Sequence, residues 1–138
     1  MTSNVEIVKA AYDTAEVLDI DGFVDLFAED GYLWDLSDGQ KYVGKEVGDL
    51  VTNFAKSFPD IHRELHDVYE SGDDKVIVEL TLMGTNNGPM VTSNGTLEPT
   101  GEKINVPCCD VWTIKDGKIQ SFHCYNAASI LLAQIGVL

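Results

Sequence analysis

The chain has 138 residues, 44% of them hydrophobic and 23% charged, which is one domain's worth with enough apolar material for a core without staples. Its formal net charge of −14 repels phosphate backbones and anionic lipid, so neither nucleic acid nor membrane is an expected partner. The N-terminal run MTSNVEIVKAAYDTAEV has acids and helical spacing in place of a basic leader, and the apolar stretch from Ala127 to Leu138 is interrupted by Ser129, Gln134 and Gly136. A cytoplasmic location is therefore the expectation. Cys108, Cys109 and Cys124 lack disulfide or zinc spacing and read as free thiols in a reducing compartment.

In chain order, Val5, Val8, Tyr12 and Ala15, with Ala11 and Leu18, recur at three- and four-residue steps and predict a helix over residues 4–18. Asp21 is placed as the N-cap of a short second helix carrying Phe23, Leu26 and Phe27. Tyr32 to Leu36 reads as a short strand followed by a polar turn at Ser37-Asp38-Gly39. Gly44 opens a third helix through Val47, Leu50, Val51, Phe54 and Phe58, which Pro59 stops. The period then changes from 3.6 to 2. Strands are expected at Ile61–Glu70 and Lys75–Gly84, then a loop from Asn86 to Glu98 that bends over an opening. Further strands follow at Ile104–Ile114 and Ile119–Asn126, joined by a hairpin turn at Lys115-Asp116-Gly117-Lys118, and a short apolar helix closes the chain. Three N-terminal helices gathered on one face of a curled antiparallel sheet predict a single α+β domain over residues 1–138, shaped as a cone around an apolar pocket.

Asp110 carries the strongest chemical signal. It lies in Val106-Pro107-Cys108-Cys109-Asp110-Val111-Trp112-Thr113-Ile114 and by alternation shares a face with Cys108, Trp112 and Ile114. A carboxylate on an apolar face loses hydration, which raises its pKa and suits it to proton transfer; the competing reading is a structural aspartate held by a hydroxyl or a cation. Asp35, at a strand end beside Trp34, reads either as a second catalytic carboxylate or as a turn cap over Ser37 to Gly39. Tyr12 sits on the apolar stripe of the first helix, so its hydroxyl is expected to point inward. Phe54, Phe58, Trp34, Cys108 and Trp112 are candidate substrate contacts, as are Phe122, Cys124 and Asn126 on the last strand. His62 and His66 are four apart but do not form the HExxH pattern and have no evident third ligand, so no metal is expected. GxGxxG, GxxxxGK[ST] and GxSxG are all missing from the sequence, so no cofactor or nucleotide is expected.

Gly84-Thr85, Pro99-Thr100-Gly101, Val106-Pro107 and the run Asp110-Val111-Trp112-Thr113-Ile114-Lys115-Asp116-Gly117-Lys118-Ile119 resemble the SnoaL-like polyketide cyclases of the nuclear transport factor 2-like superfamily, relatives of ketosteroid isomerase. Phe58-Pro59-Asp60 and Leu131-Leu132-Ala133-Gln134-Ile135-Gly136 extend the resemblance. It implies a cone-shaped α+β fold, a homodimer, no cofactor and a small hydrophobic organic substrate. It also implies that Asp110 is the acid and base of an intramolecular aldol closure. By analogy with the isomerases, Phe27-Ala28-Glu29-Asp30 places Asp35 at the position of the base, and Tyr12, on the first helix, is the nearest match to the oxyanion tyrosine. The alternatives carried forward are a double-bond isomerase, a ligand carrier without turnover, and an epoxide-type hydrolase.

Overall fold

The computed structural model describes residues 2–138. Helix α1 (Asn4–Glu16) starts where the Ser3 side chain accepts the Glu6 amide, and it buries Ile7, Val8, Ala11, Tyr12 and Ala15 along one face. It stops two residues earlier than the spacing predicts, because Leu18 takes a left-handed φ of 57° and turns the chain. Helix α2 (Ile20–Asp25) is capped by Asp19, whose carboxylate accepts the Gly22 amide, and not by Asp21. Phe27, expected on that helix, instead opens strand β1 (Phe27–Asp35), because Leu26 O is taken by the Ile119 amide. Strand β2 (Gln40–Val43) had no sequence signal. A single 3-10 turn (Gly44–Glu46) then leads into α3 (Val47–Ser57).

The remaining strands fall where the two-residue period puts them: β3 (His62–Ser71), β4 (Lys75–Thr85), β7 (Lys103–Lys115) and β8 (Lys118–Asn126). At the β7–β8 hairpin, Asp116 and Gly117 have φ of 53° and 75°, the left-handed pair a tight hairpin needs. The segment expected as loop forms a small hairpin of its own, β5 (Met90–Thr92) and β6 (Gly95–Leu97). It is pinned to the end of α3, where the Gly88 amide donates to Ser57 O and the buried Asn86 side chain donates to Ser57 O and Gly88 O. No residue of this segment lines the cavity described below. Helix α4 (Ala128–Gln134) closes the chain.

The main sheet has the order β2-β1-β8-β7-β4-β3. It is mixed where a purely antiparallel sheet was expected, because β1 runs parallel to β8. Its inner face carries Leu33, Val76, Val78, Val106, Trp112 and Ile119, all at most 1% exposed, and α1–α3 cover that face. The α+β cone thus stands as expected, with three N-terminal helices on one face of a curled sheet that does not close.

Candidate active site

Strand β7 alternates with complete regularity: Ile104, Val106, Cys108, Asp110, Trp112 and Ile114 are buried, and their neighbours point outward. Asp110 therefore enters the core by the same rule that buries its hydrophobic neighbours. It is 2% exposed, and burial pushes its carboxyl up to about 6, against hydrogen bonds from Tyr12, Cys108 and Cys124 that pull the other way.

The groups around it form a connected chain. Tyr12 Oη donates to Asp110 Oδ2 at 2.6 Å, and Trp112 Nε1 donates to Tyr12 Oη at 3.1 Å. Cys108 Sγ donates to Asp110 Oδ1 at 3.3 Å and lies 3.8 Å from Cys124 Sγ, which Asn126 Nδ2 approaches at 3.8 Å. Burial and the neighbouring carboxylate push the Tyr12 phenol far above its ordinary value, so Tyr12 keeps its proton and acts as a donor. The Cys108 thiol is likewise held protonated, first by its hydrogen bond to Cys124 and then by burial.

Asp110 opens on a small, partly enclosed, mainly apolar cavity of about 40 Å3, lined also by Tyr12, Arg63, Cys108, Trp112, Phe122, Cys124, Phe54, Phe23, Leu82 and aliphatic side chains of α1 and α3. The Trp112 and Phe122 rings are stacked at 3.8 Å, and Tyr12 meets Trp112 edge-on at 5.4 Å. A concavity of about 560 Å3, lined by residues such as Asp60, Met83, Lys103 and Gln134, is an open surface groove. The small cavity is the candidate site, because only there does a desolvated acid meet oriented donors.

The other sequence candidates divide by face. Asp35 is buried, and its register partner on β8 is Cys124, which in turn pairs with Asp110 on β7. The two aspartates thus sit two strands apart in one row of the inner face, about 10 Å between backbones. The Asp35 carboxylate nevertheless does not line the cavity. Its Oδ1 accepts the Ser37 amide at 3.0 Å and the Ser37 hydroxyl at 2.5 Å, and Gly39 N donates to its carbonyl. Burial raises its pKa, opposed by Ser37.

Trp34, expected as a substrate contact, points to the outer face because it neighbours the inward Leu33 and Asp35; there it lies edge-on to His123 at 5.4 Å and beneath Lys41. Phe58 is fully buried against Phe54 and does not reach the cavity, and neither does Asn126 except through Cys124. His123 is on the outer face with Tyr32, while His62 pairs with Glu16 and His66 with Thr81. Tyr12, Asp110, Cys108, Trp112, Phe122, Cys124 and Phe54 do converge.

One lining residue was missed. Arg63 lies on β3 between the exposed His62 and His66, in a mainly charged stretch, and alternation puts it with Leu65 on the inner side. Among the described residues, the Cys108 and Cys124 sulfurs and an Asp110 oxygen lie within 4.8 Å of one another and could converge on a soft cation. That set fits a metal poorly: both thiols must first lose protons that burial holds in place, and Asp110 is already committed to Tyr12.

Solved structures share this architecture. A protein of Jannaschia sp. CCS1 named as a SnoaL-like polyketide cyclase superimposes with a TM-score of 0.85 at 21% identity, over 98% of this chain and 92% of that one. A protein of Catenulispora acidiphila with a ketosteroid isomerase-like fold, in complex with trimethylamine, gives 0.81 at 22% identity over 99% and 96%. TerC co-crystallised with polyporic acid gives 0.73 at 18% identity over 96% and 97%. At these identities the likeness is one of fold. No curated protein matches the sequence. The sequence itself matches the SnoaL-like domain over residues 8–122, and the chain therefore belongs to the SnoaL-like domain family.

Proposed function

We propose that this protein is a cofactor-independent acid–base enzyme of the polyketide-cyclase type, closing a ring in a small carbonyl compound by an intramolecular aldol reaction. The observation that carries the reading is Asp110: a buried carboxylate raised to about 6, hydrogen-bonded by Tyr12 and facing a cavity. A base with that proton affinity is largely ionised at neutral pH and becomes a competent acid once it has taken a proton. Asp110 removes the proton α to a carbonyl; the C–H electron pair becomes the enolate. The enolate carbon attacks a second carbonyl of the same molecule, forming the C–C bond, and the resulting alkoxide takes the proton back from Asp110. Tyr12, itself receiving a hydrogen bond from Trp112, orients the carboxylate throughout.

Membership of the SnoaL-like family and the cyclase and ketosteroid isomerase-like names of proteins with this fold support carbonyl chemistry. The single-aspartate version is favoured over the isomerase and hydrolase readings, which as drawn from the sequence set two carboxylates at the substrate, because Asp35 is bonded to Ser37 and does not line the cavity. The test is NMR in D2O with a panel of small aromatic ketones and linear poly-β-carbonyl compounds, following α-proton exchange and ring closure. Asp110→Asn is expected to lower the active rate by about 10²–10⁴-fold while the variant stays folded. If the wild-type protein binds panel members yet neither exchanges nor closes any, and binds them equally with Asn at 110, it is a carrier and the reading fails.

A further inference from the structure

Arg63 is the one charged group in the cavity wall that the chemistry above does not use. Its side chain is only 11% exposed, and its Nη1 is buried with no hydrogen-bond partner. Glu16 Oε1, at 3.9 Å, is the only carboxylate oxygen within ion-pair range of it among the described residues. Glu16 is already occupied: Oε2 pairs with His62 at 2.6 Å, and Oε1 accepts the Arg63 backbone amide at 3.3 Å. Buried structural arginines are normally hydrogen-bonded, because an unpaired buried donor is costly and a guanidinium offers five. Arg63 is a donor in search of an acceptor, on a wall whose other polar members, Asp110, Tyr12, Trp112, Cys108 and Cys124, are bonded among themselves and whose remaining side chains are apolar.

We infer that Arg63 anchors an oxyanion subsite in this cavity, so that the substrate carries a planar oxygen anion, a carboxylate or an ionised 1,3-dicarbonyl, joined to a small apolar body. The inference rests on the proposed chemistry only in assigning the same cavity to substrate. The planar guanidinium fork matches two coplanar oxygens better than a point charge does. The protein's net charge of −14 repels anions at long range, so binding one in this cavity needs a local cation such as Arg63. Docked on Arg63, such a group shares the cavity with Asp110, which can then work on the adjoining α-carbon.

The test is isothermal titration of the intact protein with two isosteric pairs, benzoate against benzamide and the 1,3-cyclohexanedione anion against 3-amino-2-cyclohexen-1-one. Each anion is expected to bind at least tenfold tighter than its neutral partner, and the tighter of the two anions identifies the source of the charge. Arg63→Met should abolish the preference and Arg63→Lys should keep part of it. In wild type, the Arg63 side-chain Nε–H resonance should shift on adding the anion and not on adding the neutral isostere, a readout that survives even if Arg63→Met does not fold. Equal binding of anion and neutral partner, a preference that persists in folded Arg63→Met, or an Arg63 resonance that stays still overturns the subsite. Asp110→Asn separates the two ideas: it is expected to retain the anion preference while losing turnover. In the wild-type protein, equal binding of anion and neutral partner with Asp110-dependent turnover intact sinks the subsite alone, and an anion preference with no turnover of any panel compound sinks the enzyme reading alone.

Discussion

At the scale of single residues, the behaviour of Asp110 follows from where its proton is held. Its folded-state value of about 6 lies above the ordinary 3.8, so between those pH values the native state binds a proton that the unfolded chain releases. The stabilising contribution is therefore complete below about pH 3.8 and is lost as pH rises through 6, a swing of roughly 3 kcal/mol. Asp35 is displaced in the same direction, so the clean measurement is a difference. Urea denaturation of wild type and Asp110→Asn at pH 4 and pH 7 should show the variant gaining relative stability at the higher pH; parallel curves would mean that the carboxylate is not desolvated as described. Tyr12→Phe tests the partner. The Tyr12 hydrogen bond favours the ionised carboxylate, so removing it should move the acidic limb of the pH–rate profile upward and lower the rate at pH 6 more than at pH 8.

Elements position these residues through a few local contacts that can be broken one at a time. The β5–β6 hairpin depends on a close approach: a Cβ on Gly88 would stand 1.7 Å from Lys56 O, so the backbone there admits only glycine. Gly88→Ala should cost roughly 1–3 kcal/mol in a urea melt, as overpacking does. Because no residue of that hairpin lines the Asp110 cavity, the pH–rate profile should be unchanged. Asp19→Ala removes the α2 cap and should cost about 1 kcal/mol. The same substitution at Asp21, the cap expected from sequence, should cost far less; equal losses would refute the assignment.

For the whole molecule the decisive quantity is the size of the cavity. Its 40 Å3 holds a few waters, whereas pockets for drug-sized ligands run to about 300 Å3 and more. The cone is thus nearly filled by its own aromatic side chains, and a substrate must displace part of the wall. Phe54, half-buried on α3 and part of that wall, is the cheapest piece to move. Phe54→Ala should cost about 2 kcal/mol, below the value for a fully buried phenylalanine, and should strengthen binding of bicyclic over monocyclic aromatic ligands. Unchanged selectivity would place the entrance elsewhere. Among the described residues no helix is long and apolar enough to cross a membrane.

Much of this was legible in the chain because periodicity reports burial. The alternation along Val106 to Ile114 alone assigns Asp110, Cys108 and Trp112 to one inward face, and the helical stripe of α1 turns Tyr12 toward it; neither inference needs a partner strand. What periodicity cannot report is which buried faces meet. The parallel pairing of β1 with β8 joins segments some ninety residues apart, so only the folded sheet sets Asp35 in the same row as Asp110, and only the side-chain geometry turns Asp35 to Ser37 instead of the cavity. Arg63 escaped notice for the related reason that a charged residue among charged neighbours reads as solvated until the fold sets α1 and its Glu16 against it. Local spacing fixes how deep a side chain lies, because that depends on its own element; what it touches there depends on elements far away in sequence, and that was decided by the tertiary structure.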